Sequence, residues 1–286
     1  LGRPLQIVDA ADLAATGHTS LGPALAELVP AFRFAAPFAV NGDDHVHTGT
    51  LRGLAPDQMV VLVDGKLIIA VRDVYALEPA SGEVLWKAAS KPHWGTPVGA
   101  EVDGAPVVIT CEGQILHAAS GQELSTDLPS LQWNTPLVVG DRVYTVDSRR
   151  GLQCHKLPTT PDGKPEQLWQ TKPKGRLGRT YASPVLVNGL LYGVDQRGRL
   201  LVLKADTGEL LYDEQLKLKG TFYPSPTAMG DKVYISADGG DTIVVATGPD
   251  YSEVTRNSLP AFRSSPIVHN GRIYIRSLKS VICIGD

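Results

Sequence analysis

Apolar and polar positions alternate along this chain in short runs, each closed by a turn that contains glycine. The stretch that begins at Ser183 shows the unit most clearly. Pro184-Val-Leu-Val187 reads as a first strand, Asn188-Gly189 as a hairpin turn that needs positive φ, and Leu190-Leu-Tyr-Gly-Val194 as a second strand. Asp195-Gln-Arg-Gly198 turns the chain again, Arg199-Leu-Leu-Val-Leu203 is a third strand, and Asp206-Thr-Gly208 leads into a fourth, Glu209-Leu-Leu-Tyr212. The apolar runs have the length of strands and are too short for helices.

The opening phrase of this unit recurs. A small residue, a proline, a few apolar residues and a polar-Gly turn appear as Thr96-Pro97 to Asp103-Gly104, Thr135-Pro136 to Gly140-Asp141, Ser183-Pro184 to Asn188-Gly189, Ser225-Pro226 to Gly230-Asp231, and Ser265-Pro266 to Asn270-Gly271. A sixth turn, Asp64-Gly65, runs into the same kind of strand, Lys66-Leu-Ile-Ile-Ala-Val71. Glycines 65, 104, 140, 189, 230 and 271 are 39, 36, 49, 41 and 41 residues apart. A period near 40 with four strands per unit predicts an all-β fold, a β-propeller of four-stranded antiparallel blades. Proline suits the first position of the innermost strand, where no ladder donor is needed.

The repeat resembles a known family. Tyr75-Ala-Leu-Glu-Pro-Ala-Ser-Gly-Glu-Val-Leu-Trp86 is similar to the tryptophan-docking repeat of quinoprotein-type (PQQ-like repeat) propellers, and Leu203-Lys-Ala-Asp-Thr-Gly-Glu-Leu-Leu-Tyr212 matches it with tyrosine in place of tryptophan. Looser copies end at Leu124 and Trp169. The resemblance covers roughly residues 57–286 and is specific for fold, with six recognisable repeats. It is much less specific for function, because the family holds both quinone dehydrogenases and non-enzymatic members of the BamB type, which are the more similar. The resemblance implies work outside the cytoplasm, periplasmic or secreted, and implies that Trp86 and Trp169 wedge one blade against the next.

The family's dehydrogenases are eight-bladed, with a disulfide of adjacent cysteines and a calcium held by carboxylate and Asn side chains. Here Cys111, Cys154 and Cys283 are far apart, and Asn41, Asn188 and Asn270 read as hairpin residues. No cofactor is therefore expected. Cys154 and Cys283 share a third-strand register with Ala76, a place for a small buried residue, and the thiols are read as reduced.

Residues 1–286 are expected to form one propeller domain of seven blades, with six or eight as alternatives. Residues 1–56 are atypical. Ala36-Pro-Phe-Ala-Val-Asn-Gly42 copies the proline-to-turn phrase, Pro4–Val8 could supply the outermost strand that the last unit lacks, and residues 9–30 could hold a short helix. The chain begins Leu1-Gly2 with no visible signal peptide, which fits a mature or recombinant form. A net charge of -3 implies no nucleic-acid partner, and no apolar run is long enough for a membrane span.

Strand alternation separates two faces. The loops leading into each innermost strand and the hairpins between second and third strands share one, here the mouth face; the remaining turns share the other. Three residues before each repeat proline stand Phe34, Trp94, Trp133, Tyr181, Tyr223 and Arg263, five of six aromatic in a chain that is 6% aromatic. Around them are Arg33, His93, Asn134, Arg179, Phe222 and Phe262, and the hairpins add Arg72, Arg149, Arg150, Arg197 and Arg276. The opposite face collects Asp64, Asp103, Asp141, Asp231, Glu78, Glu83, Asp206 and Glu209. This separation predicts a dipolar molecule that steers anions to its mouth face.

Phe34, His93, Trp94, Trp133, Arg179, Tyr181, Tyr223 and Arg263 are the candidate ligand-binding residues, since rings accept sugars or side chains and arginine takes carboxylates bidentately. Large residues at one repeated register can equally be blade-to-blade wedges. His93 is the best single acid-base candidate, and His45 with His47 could begin a metal site, but two histidines leave one incomplete. The preferred reading is a non-catalytic, monomeric binding or scaffold module for an extracytoplasmic protein, peptide or anionic glycan, with no catalytic residue and no metal. The alternatives are a lyase-like enzyme on acidic saccharides and a quinone-dependent dehydrogenase.

Overall fold

The computed structural model describes residues 32–34, 49–51, 61–91, 94–269, 271–277 and 279–285. The closing strand at residues 4–8, the helix within 9–30, the hairpin through residues 41–42, the His45/His47 pair and His93 lie outside the described residues.

The described chain is built of antiparallel strands, with no α-helix among the described residues. β1 (Phe32–Phe34) pairs with β2 (Gly49–Leu51). The first full sheet is β3 (Val61–Val63), β4 (Lys66–Ala70), β5 (Val74–Leu77) and β6 (Val84–Ala88), and the second is β7 (Val98–Val102), β8 (Ala105–Ile109), β9 (Ile115–His117) and β10 (Glu123–Ser125). The third holds β11 (Leu137–Val139), β12 (Arg142–Asp147), β13 (Gly151–Lys156) and β14 (Glu166–Thr171); the fourth holds β15 (Val185–Val187), β16 (Leu190–Val194), β17 (Arg199–Lys204) and β18 (Leu210–Gln215). The fifth comprises β19 (Thr227–Met229), β20 (Lys232–Ser236), β21 (Asp241–Ala246) and β22 (Glu253–Ser258). The last has three described strands, β23 (Ile267–His269), β24 (Arg272–Arg276) and β25 (Val281–Ile284). In every sheet the strands follow chain order, as the repeat predicts. The expected seventh blade turns on residues 1–60, of which only β1 and β2 are described.

Turn chemistry fixes each innermost hairpin. Asp64, Asp103 and Asn188 have φ of 49°, 52° and 52° and are each followed by a positive-φ glycine, the pattern of a type I′ turn. At Gly140-Asp141 and Gly230-Asp231 the glycine comes first, with φ of 59° and 60°, as a type II′ turn requires.

The core lies between consecutive sheets. Tyr192, Val194, Leu200 and Val202 of the fourth meet Val233, Ile235, Ile243 and Val245 of the fifth, while Tyr144, Leu152, Cys154 and Trp169 of the third meet Leu191, Leu201 and Leu203 of the fourth. Middle strands such as β16 and β17 are therefore apolar on both faces, because a neighbouring sheet covers each. The outermost strand β22 is exposed throughout.

Tryptophan locks one sheet to the next, as expected. The Trp86 indole donates to the carbonyl of Ala118 at 2.8 Å, and the Trp169 indole to that of Ala205 at 3.0 Å. Each ring also lies on a glycine of the neighbouring sheet: a Cβ on Gly121 would stand 2.5 Å from Trp86, and one on Gly208 2.5 Å from Trp169. The register opposite the tryptophan takes a small buried residue, Ala76 against Trp86 and Cys154 against Trp169. Cys283 holds the equivalent place in β25, where no fourth strand is described, and is exposed.

Candidate ligand-binding face

The residue before each repeat proline has a function that its size alone did not reveal. The amide of Thr96 donates to Oγ1 of Thr135 at 2.8 Å, that of Thr135 to Oγ of Ser183 at 3.0 Å, that of Ser183 to Oγ of Ser225 at 2.9 Å, and that of Ser225 to Oγ of Ser265 at 2.9 Å. Each link crosses from one sheet to the next, so a belt of hydroxyls sets the spacing of the innermost strands. The proline that follows holds the preceding residue extended and keeps its amide aimed at the next sheet.

Two residues before this belt in each repeat stands the aromatic set, and the structure joins it into a ladder. Trp94 stacks on Trp133 with centroids 5.7 Å apart and planes 18° apart, Trp133 meets Tyr181 edge-on at 5.4 Å, and Tyr181 stacks on Tyr223 at 4.6 Å and 23°. The Arg263 guanidinium closes the series 4.5 Å from the Tyr223 centroid, and that of Arg179 lies 5.7 Å from the Trp133 centroid while donating to the Tyr181 hydroxyl at 3.2 Å. The residues thus touch side by side, one from each successive sheet. Trp94 is 58% exposed, and Trp133, Tyr181, Tyr223 and Arg263 are half-buried.

These rings meet one another outside the buried cores, which other aromatics fill. Phe222 and Phe262, expected at the surface beside them, are 1% exposed and sit in the cores. Each directly precedes a ladder residue, so in extended chain the two side chains point to opposite sides, one inward and one out. Asn134 is also buried, donating to the carbonyls of Val146 and Ala182 at 2.9 and 3.3 Å. Phe34 lies in β1, and His93 is outside the described residues.

A set of carboxylates on this face escaped the sequence reading. Asp147, Asp195 and Asp238 stand in the second-to-third hairpins. Asp147 Oδ1 accepts the amides of Arg149 and Arg150 at 2.8 and 2.9 Å, while Asp195 accepts those of Arg197 and Arg199 on Oδ1 and of Gly178 on Oδ2 at 2.7 Å. Asp238 accepts the Thr221 amide at 2.9 Å and lies 3.5 Å from Arg263. Asp195 and Asp238 tie their hairpins to the loops carrying Tyr181 and Tyr223, while Asp147 closes its own hairpin. Their signal in the sequence was a repeated position, an Asp two to four residues before the hairpin glycine.

These groups reduce the expected separation of charge without reversing it. The mouth face carries Asp as well as Arg, and on the opposite face lysines neutralise several of the acids: Lys66 on Asp64 at 2.9 Å, Lys204 on Glu209 at 2.7 Å and Lys232 on Asp231 at 2.6 Å. Such surface pairs add little stability, but they flatten the field beyond a Debye length. On the mouth face arginine is densest around Arg149, Arg150, Arg176 and Arg179.

The family model for "Outer membrane protein assembly factor BamB" matches residues 70–157 and 159–249. The outer membrane protein assembly factor BamB of Salmonella typhimurium (strain LT2) is 29% identical over 184 residues, covering 60% of this chain and 45% of that protein. The match thus spans less than half of the curated relative's length. Among solved structures, BamB from Moraxella catarrhalis superposes with a TM-score of 0.61 at 17% identity, over 78% of this chain and 70% of that one. The quinohemoprotein alcohol dehydrogenase from Comamonas testosteroni gives 0.52 at 13% identity, over 76% and 50%. At these identities the solved structures show the fold alone, a PQQ-like propeller.

Proposed function

Because the chain belongs to the family of outer membrane protein assembly factor BamB, we propose that it is a non-catalytic, extracytoplasmic binding module whose mouth face holds a protein partner. The partner is a component of outer-membrane protein assembly, the role named for the Salmonella relative. In this reading residues 1–56 complete one seven-bladed domain that works as a monomer.

The observation that carries the proposal is the ladder Trp94-Trp133-Tyr181-Tyr223-Arg263. Buried aromatics already wedge the sheets elsewhere, so these half-open rings are not required for that. Aromatic and arginine side chains, rigid and already ordered by mutual contact, are the groups that anchor protein interfaces. Phe34, His93 and Arg179 are assigned to the same surface.

The test is capture of the partner by the intact chain from a periplasmic extract, compared with the pair Trp94→Ala and Trp133→Ala and with Tyr223→Ala. Loss of one specific captured protein with an unchanged melting temperature supports the assignment. Capture that survives these substitutions, or a fall in melting temperature as large as that of Trp86→Ala, removes it.

A further inference from the structure

Beside the ladder opens a cleft of about 670 Å³ between the third and fourth sheets, walled by Trp133, Gln132, Arg149, Arg150, Arg176 and Arg179. It continues into a recess of about 220 Å³ that ends at Arg197. Arg176 falls in the loop between β14 and β15, at a place where the other repeats carry no arginine.

Three observations define what could fill it. First, the guanidinium groups of Arg149, Arg150, Arg176, Arg179 and Arg197 are all exposed, and among the described residues none is in an ion pair. Asp147, which also lines the cleft, has its Oδ1 committed to the amides of Arg149 and Arg150. Five guanidinium groups against one lining carboxylate, Asp147, and the Lys91–Glu112 pair leave a surplus of like charge that opposes folding, so the cluster is not explained by stability. Second, no aliphatic side chain lines the main cleft; Ser130, Gln132, Ser148 and Thr180 fill the space between the cations. Trp133 is the one apolar residue of its lining, where the centre of a protein interface packs several. Third, its one apolar wall is an aromatic ring, Trp133, extended by the exposed Trp94 stacked on it. Rings to pack on, hydroxyl and amide groups to hydrogen-bond, and guanidinium forks that take a carboxylate or sulfate bidentately together suit a charged sugar.

We propose that this cleft binds an acidic oligosaccharide, with a sugar ring against the Trp133 wall and its carboxylates or sulfates on Arg149, Arg150 and Arg176. The recess at Arg197 takes a further anionic residue of the same chain. This site adjoins the protein-binding ladder and shares Trp94, Trp133 and Arg179 with it.

The test is calorimetric titration of the full chain at low and moderate salt with four probes: tetragalacturonate, a heparin-derived tetrasaccharide, neutral maltotetraose and a hexaglutamate peptide. Saturable binding of either acidic saccharide is expected, weakened by salt, with no binding of maltotetraose and much weaker binding of hexaglutamate. Arg149→Gln with Arg176→Gln should weaken it by on the order of tenfold or more, since each removes a charged hydrogen bond. Both side chains are exposed, so the melting temperature should hold; Arg197→Gln alone serves if it does not. Equal binding of maltotetraose, hexaglutamate binding as tight as the saccharides, no binding of either acidic saccharide, or indifference to both sets of substitutions overturns the proposal. Partner capture through the ladder is expected to survive the Arg149 and Arg176 substitutions, so the two readings can fail separately.

Discussion

The indole nitrogen of Trp86 reaches 2.8 Å across the gap between the first and second sheets to the carbonyl of Ala118, and its ring fills the space left by the missing side chain of Gly121. One residue therefore supplies both a hydrogen bond and a packing surface to a neighbour 32 positions on. Trp86→Ala is expected to cost about 3–5 kcal/mol, as for other buried aromatics. Gly121→Ala should also be strongly destabilising, since its Cβ would collide with the ring at φ 71°. Gly104→Ala shares that φ but faces open space, and should cost only about 1–2 kcal/mol. Denaturant unfolding of the three variants separates collision from backbone strain.

The hydroxyl belt predicts a position-specific effect. Ser225→Ala removes the acceptor of the Ser183 amide and leaves that half-buried donor unmet, a loss of about 1–3 kcal/mol. Ser225→Thr retains the hydroxyl and should recover most of it. Thermal melts of the two variants, with hydrogen exchange at Ser183, report the result; equal stability of the Ala and Thr forms would show that the belt is incidental.

His155 gives a pH dependence. It is 5% exposed, its Nδ1 has no hydrogen-bond partner among the described residues, and burial lowers its pKa below the usual 6.5. As pH falls through 6.5 the unfolded chain takes up a proton that the folded chain refuses, so stability is full above that pH and declines below it. The melting temperature should drop between pH 7.5 and 5.5 more steeply for the wild type than for His155→Gln. Parallel profiles would assign the acid sensitivity to other groups.

The three cysteines should differ sharply in reactivity. Burial pushes the Cys111 thiol up to about 12 and the Cys154 thiol up to about 11, whereas Cys283 is exposed. A thiolate-selective reagent at pH 8 should therefore modify Cys283 in the folded chain and all three cysteines after denaturation. Rapid labelling of Cys111 or Cys154 in the folded chain would mean that the sheets open locally.

The periodic parts of the molecule were legible because period is a sequence property. The hairpins at residues 64–65, 103–104 and 188–189, the wedge role of Trp86 and Trp169 and the existence of an aromatic register all follow from turn residues and spacing. What escaped depends on contacts between repeats. The residue before each proline was read as merely small, although all five are Ser or Thr and none is Ala or Gly; only the distance to the next sheet shows why a hydroxyl is needed. Phe222 and Tyr223 looked alike in the chain, and their opposite fates follow from which side of the strand each faces. Arg176 stands in the loop entering the fourth sheet at a place where the other repeats carry no arginine, so no register could point to it.

The belt also has a direction. Every link runs from an earlier amide to a later hydroxyl, Thr96 to Thr135 through to Ser225 to Ser265, so each repeat presents the same acceptor to the one before and the same donor to the one after. Through the belt, any two repeats can pair in one orientation only. A repeat gained or lost whole would leave this belt's pairing intact, while a shift by part of a repeat would strand a donor at every junction.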